Sequence, residues 1–167
     1  QIREDDGVFK MGIFGMAWSY EILDDQDLIY QWLTRKSYPS FYSMVSNNSG
    51  ALGEYFKKMD GSSLNHAMFT SYSQWFISAL LGIKFDQETQ ESTDLLIDPY
   101  IPDDIEFAEG TLRTIHGEIG IGWEKTQEKT MIKAQIPSTI NYRFSKEFKV
   151  NSKTIIDGSW FIEAIKR

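Results

Sequence analysis

The stretch YSQWFISALLGIKFDQETQESTDLLIDPY, residues 72–100, contains the point at which this chain changes its hydrophobic period. On the N-terminal side Tyr72, Trp75, Phe76, Ala79 and Leu80 share one helical face, and the stripe runs back through Met68 to Leu64 and forward to Ile83. Ser62 or Ser63 stands where an N-cap is wanted, and Gly82 with the polar run DQETQEST ends the pattern, so one long helix is expected here. On the C-terminal side, TDLLIDPY begins a period of two. The chain therefore divides near residue 85.

Working outward, the upstream part stays helical. Met11, Phe14, Trp18 and Ile22 recur at helical spacing, as do Leu28, Trp32 and Leu33 in a segment opened by the acidic DDQD, which suits a helix N-terminus. Between these helices and the long one, SYPSFYSMVSNNSGA reads as a loop, because Pro39 and the Asn/Ser/Gly cluster interrupt any regular pattern. Downstream, IEFAEGTLRTI, GEIGIGWEK, KTMIKAQIP, STINYRFS, KTIID and SWFIEAIKR are short alternating runs separated by turn residues, the pattern of a β-sandwich or barrel. No internal repeat or low-complexity tract is found.

At 167 residues the chain can hold one ordinary domain or two small ones. A net charge of −7 argues against nucleic acid as a partner, since binding a polyanion needs a basic face that displaces counterions from phosphates. The absence of cysteine excludes disulfides, thiolate chemistry and cysteine-based metal sites. No apolar run is long enough to span a bilayer, no basic-then-apolar leader precedes MGIFGMAWSYEIL, and no membrane partner is expected. The compartment is left open.

About two thirds of the aromatic residues lie in the helical part, many of them beside Gly, Ser or Pro, and Tyr38, Phe41, Tyr42, Tyr55 and Phe56 fall in its expected loops. Such rings either pack helix ends or cover the apolar face of a sugar. Glu54, in GALGEYFKKMDGSSLNH, is either the first-turn acid of a short helix or a catalytic group, and His66 is either a hydrogen-bonded histidine or a ligand. Twelve residues apart, the two miss the i, i+4 spacing of a helical metal pair and are too few to hold zinc, so neither metal nor cofactor is expected. No Gly-x-Ser-x-Gly elbow anchors a hydrolase triad, and GEIGIG at 117–122 lies in a strand pattern with no helix after it, which excludes a phosphate loop. His116 reads as a solvent-side strand residue.

Residues 38–86 carry a family resemblance. Tyr38, Pro39, Ser40 and Met44, then Glu54, then Ser63, Leu64, Asn65 and His66, and finally Trp75 with Leu81, Gly82 and Ile83 resemble the closing motifs of the α-L-rhamnosidases of glycoside hydrolase family 78. The upstream helix pair, LLIDPYIP and GEIGIGWEK are similar to the segments that flank those motifs. The resemblance implies a mixed fold in which residues 1–86 are the last helices of an (α/α)6 catalytic toroid and residues 93–167 an antiparallel β-sandwich.

It also implies removal of terminal α-L-rhamnose with inversion, which calls for two carboxyl groups roughly 6.5–9.5 Å apart on opposite sides of the sugar, one as acid and one as base. Glu54 matches the general base and His66 the histidine that hydrogen-bonds the sugar, while Asn65, Tyr38 and Tyr42 complete the expected substrate contacts. Gly50, Ala51 and Gly53 replace the family's Thr-Thr and Trp before the glutamate, and Phe41 and Tyr42 replace its Trp and Gly. The general acid lies upstream in the family, and residues 1–53 hold nothing resembling its segment. Three helices do not make six pairs, so the chain is expected to be a C-terminal fragment, inactive alone, whose apolar helix face is covered by the rest of a parent chain or by another copy. The expected partner is a rhamnose-containing carbohydrate. The contrasting reading is a non-catalytic carbohydrate-binding or interaction module in which Trp123 and Trp160 of the β-rich part form a flat platform, unless the alternation buries them.

Overall fold

A computed structural model describes residues 18–20, 22–23, 25–47, 50–56, 60–85 and 93–167. Met11 and Phe14 of the first expected helix, and the run 86–92, lie outside the described residues. The chain forms two compact units that divide between Gln74 and Trp75.

In the first unit, helix α1 spans Gln26–Thr34. Asp25 caps it, its Oδ1 accepting the Leu28 N–H at 3.1 Å, and Leu28, Ile29 and Trp32 are its buried face. Trp18 and Ile22, four residues apart, are 62% and 73% exposed. Helix α2, Phe41–Asn47, occupies what the sequence suggested was loop. Its cause is local: the Ser43 N–H donates to Ser40 Oγ at 3.0 Å while the Ser40 N–H donates to Ser43 Oγ at 3.2 Å, a reciprocal cap built by two serines three residues apart. Pro39 only precedes that cap. Leu28, Trp32, Phe41 and Met44 form the core of this unit among the described residues, flanked by Leu52, Phe56 and Tyr72. Edge-to-face contacts of 5.7 Å (Trp32–Phe56) and 5.8 Å (Phe41–Phe56) knit it together.

The expected long helix is absent as such. The chain instead forms a 3-10 turn at Ala67–Tyr72, a short α segment at Ser73–Trp75 and a π segment at Phe76–Leu80. A stripe spaced for 3.6 residues per turn cannot stay on one face when the winding first tightens and then loosens. Leu64 and Phe76 are accordingly exposed, and Ile83 belongs to a strand. Gly82 makes that change of direction with φ +70, where a Cβ would run into the backbone of Pro99.

Among its described residues the second unit has eight strands arranged as a β-sandwich: β1 Ile83–Phe85, β2 Asp94–Ile97, β3 Phe107–Thr114, β4 Gly117–Lys125, β5 Thr130–Pro137, β6 Asn141–Phe144, β7 Phe148–Ile156 and β8 Ser159–Lys166. One sheet has the order β1-β2-β6 and the other β3-β4-β5-β8-β7. Alternate residues of both sheets, including Leu95, Ile97, Ile119, Ile121, Ile132, Ile136 and Ile162, share one buried cluster. All pairings but one are antiparallel. β2 and β6 run parallel with Asp94 opposite Asn141, which is possible because the three strands between them belong to the other sheet and supply the crossover. β7 and β8 are joined by Asp157-Gly158, both with positive φ, a tight turn that matches strand twist.

Candidate functional site

Glu54 and His66 stand on two segments that fold back on each other. The Glu54 N–H donates to the Ser63 carbonyl at 2.9 Å and the His66 N–H to the Leu52 carbonyl at 2.6 Å, so residues 52–54 and 63–66 run as a short paired loop. Gly61, with φ +78, lies in the turn that reverses the chain. The Glu54 side chain is half-buried, and its Oε2 accepts the Ser63 N–H at 3.1 Å. A backbone donor thus fixes one carboxylate oxygen and leaves Oε1 to other chemistry.

The loop is held from both sides. Leu52 and Phe56, two residues either side of Glu54, pack on the Trp32–Phe41 cluster. Ser63, matched in sequence as part of the histidine motif and also considered as a helix cap, is used locally: its Oγ donates to the Asn65 carbonyl at 3.0 Å and accepts the Asn65 N–H at 3.3 Å. His66 occupies the N-cap position of the 3-10 turn with extended backbone, and its side chain makes no capping bond. The imidazole is therefore not spent on helix capping. Asn65 is exposed.

The five loop aromatics separate into two groups. Phe41 and Phe56 are core, whereas Tyr38 and Tyr42 are 59% and 57% exposed and Tyr55 is also exposed. Ser40 is fully buried and serves as the α2 cap. Burial pushes the Tyr20 phenol far above the ordinary tyrosine range, in keeping with a position against the same cluster. The pairing of Glu54 with Ser63, nine residues apart, is the part of this arrangement that residue types alone did not reveal.

In the β unit the alternation does bury Trp123, and one expectation, the strand position of His116, is corrected. Trp123 is 2% exposed and its Nε1–H donates to the Leu80 carbonyl at 2.7 Å, so it is core and cannot be half of a flat platform. Trp160 is half-buried, with Tyr142 at 6.3 Å and the Lys153 ammonium 5.6 Å above its ring. His116 lies in the β3–β4 turn and not in a strand, its N–H bonded to Thr114 Oγ1 at 3.1 Å. Among the described residues no helix is long and apolar enough to cross a membrane, and no three His, Cys, Asp or Glu side chains converge as a metal site.

Comparison with known proteins gives a consistent result. Residues 1–80 match the family model for the bacterial alpha-L-rhamnosidase 6 hairpin glycosidase domain, and residues 93–144 match that for the bacterial alpha-L-rhamnosidase C-terminal domain. An alpha-L-rhamnosidase of Alteromonas sp. (strain LOR) is 26% identical over 86% of the chain and 17% of its own length, and one from Formosa agariphila is 25% identical over 95% and 19%. The chain thus spans less than a fifth of those relatives. The fold is similar to that in the Streptomyces avermitilis alpha-L-rhamnosidase complexed with L-rhamnose (TM-score 0.79, 17% identity, 99% of this chain and 18% of that one). It is also similar to the enzyme from Dictyoglumus thermophilum (TM-score 0.77, 22% identity, 99% and 21%). By both family models and by these relatives the chain is similar to the bacterial α-L-rhamnosidases, matching parts of both the six-hairpin glycosidase domain and the C-terminal domain.

Proposed function

We propose that this chain is the C-terminal part of an inverting α-L-rhamnosidase-like glycoside hydrolase that removes terminal α-L-rhamnose from glycosides or polysaccharides, with Glu54 as its general base. Residues 1–86 are the closing helices of the catalytic toroid and residues 93–167 its β-sandwich. The observation that carries the reading is the Glu54 carboxylate held through Oε2 by the Ser63 N–H, on a loop whose other strand ends at His66. A base in an inverting enzyme must stand off from the sugar by one water and keep a fixed orientation, because its oxygen has to meet the water's proton as the water attacks the anomeric carbon. A carboxylate tethered at one oxygen and presenting the other suits that task.

Each turnover moves two protons. Oε1 of Glu54 takes one from the attacking water, and an acid from the upstream part of the parent chain gives one to the leaving oxygen. His66 and Asn65 hydrogen-bond the sugar, and the exposed Tyr38 and Tyr42 rings border it. The exposed face bearing Trp18 and Ile22 is covered by the remainder of the parent chain. The chain by itself is inactive for want of the acid.

The test is turnover of an aryl α-L-rhamnoside by the full-length parent. Glu54→Gln should lower kcat by about 10²–10⁴-fold with the Ser63 anchor retained, and proton NMR of the first-formed product should show the inverted anomer. Unchanged turnover would remove Glu54 from the mechanism.

A further inference from the structure

The strand GEIGIGWEK carries glycines that the fold does not require. Gly120 and Gly122 lie within β4, a strand paired on both sides, where glycine weakens a sheet. Neither takes a left-handed backbone conformation. A methyl group at Gly120 would meet Gln135 Cβ and Thr111 Cγ2, each at 3.8 Å, and one at Gly122 would meet Glu109 Cβ at 3.4 Å, which are ordinary contacts. Gly110 on the neighbouring strand differs: a Cβ there would stand 2.7 Å from Leu81 Cδ1, so core packing accounts for it.

The unexplained glycines point away from the core, since Ile119, Ile121 and Trp123 are the buried side of the same strand. Register places Thr111, Gly120 and Gln135 in one row across the outer face and Glu109, Gly122 and Lys133 in the next. Further strands extend the rows to Phe161 and Glu163. The missing side chains open a trough of about 1190 Å³ along this face. Five strands at a spacing of about 4.8 Å make it about 19 Å across.

We propose that this trough is a binding site for a neutral oligosaccharide, separate from the loop that carries Glu54; the choice of a carbohydrate rests on the rhamnosidase reading above. Gln135 offers donor and acceptor, Thr111 a hydroxyl, Glu109 an acceptor and Lys133 a donor, which together suit a ligand bearing hydroxyls on every side. Phe161 and Phe107 supply apolar surface for the C–H faces of sugar rings, and bare glycine backbone lets a ring approach closely. A protein partner fits worse, because protein interface cores are depleted of Glu, Lys and Ser, of the kind that line this trough. An acidic polysaccharide fits worse too: Glu109, Glu124 and Glu163 outnumber Lys133 on the lining.

The test is an NMR titration of backbone amides in the full chain with a neutral rhamnose-containing oligosaccharide and, separately, with an oligogalacturonate. The neutral sugar should shift the amides of residues 109–111, 120–122 and 133–135, and the acidic one should not. Gly120→Val, a strand-favouring change with room for its Cβ, should leave the Tm equal or higher and weaken binding at least about tenfold. The proposal is overturned if no sugar moves these amides, if the acidic sugar binds better, if Gly120→Val lowers the Tm, or if the amides move with protein concentration because a second copy covers the face. The two readings fail separately. Full turnover by the Glu54→Gln parent would remove the catalytic assignment and leave the titration standing, whereas a silent titration beside an inactive Glu54→Gln parent would remove only the trough.

Discussion

The helical unit and the β unit reach stability by different routes. Among the described residues of the helical unit the buried cluster is four side chains, Leu28, Trp32, Phe41 and Met44, from two short helices, with loop residues Leu52 and Phe56 packed on it. The β unit buries fourteen residues in one cluster shared by two sheets. A core of few large rings makes each ring indispensable, whereas a core of many branched aliphatics spreads the load. The difference also bears on chemistry. The loop that carries Glu54 is anchored to the small cluster through Leu52 and Phe56, so the geometry of that loop depends on the buried rings beneath it.

Trp32→Ala gives the largest effect expected of that difference. Removing a fully buried indole that contacts Phe41 and Phe56 should cost about 3–5 kcal/mol. Hydrogen exchange should show amide protection lost in 26–34 and 41–47, with the pairing of His66 to Leu52 lost as well, while amides of β4 and β5 stay protected. Loss of protection in β4 and β5 together with the helices would break the comparison. A smaller effect tests the local cap. Ser40→Ala removes the hydroxyl that accepts the Ser43 N–H and should cost about 1 kcal/mol, read as earlier fraying of α2. If α2 keeps its protection, packing of Phe41 and Met44 and not the serine pair determines the helix.

The same contrast explains what was legible in the sequence. Six of the eight strands found among the described residues follow from alternation and turn residues, because a half-buried strand writes its burial into its own neighbours: Ile119, Ile121 and Trp123 alternate with residues that face out. The run KTIID marks only the second half of β7, where every residue after Phe148 is exposed and burial leaves no alternation. β1 looks like a helix end in the sequence, since three residues after a helical stripe carry no period of their own. The sequence of α2 suggests a loop because Pro39, Ser40 and the asparagines are also loop residues, and only the reciprocal bonding of Ser40 and Ser43 distinguishes a cap from a turn. The long helix failed because winding that passes from 3-10 to π is set by tertiary packing and leaves no spacing signature. For the candidate site, Glu54 and His66 are singled out only by their match to family motifs, while the bond that orients the Glu54 carboxylate joins residues nine apart through a backbone N–H, which any residue type but proline supplies.

The weakest expected effect lies in the β unit and is electrostatic. Lys84 Nζ sits 2.8 Å from Asp98 Oδ2, bridging β1 and the segment after β2. Burial alone would raise the pKa of Asp98, but hydrogen bonding from Lys84 and then Ser145, together with the Lys84 charge, outweighs burial, and the carboxyl is held below its ordinary value. A carboxyl depressed in the folded state contributes stability that is fully present above its unfolded pKa, about 4, and disappears as pH falls through the lower folded value. Because both partners are partly exposed, solvent screens the pair and the contribution is modest. The difference in Tm between the native chain and Asp98→Asn should therefore be constant from neutral pH down to about 5 and shrink as the pH falls below the unfolded value of about 4. A difference that stays constant through that acid range would mean that Asp98 supports the β1–β2 junction through packing or neutral hydrogen bonding, and that charge plays no part in holding it.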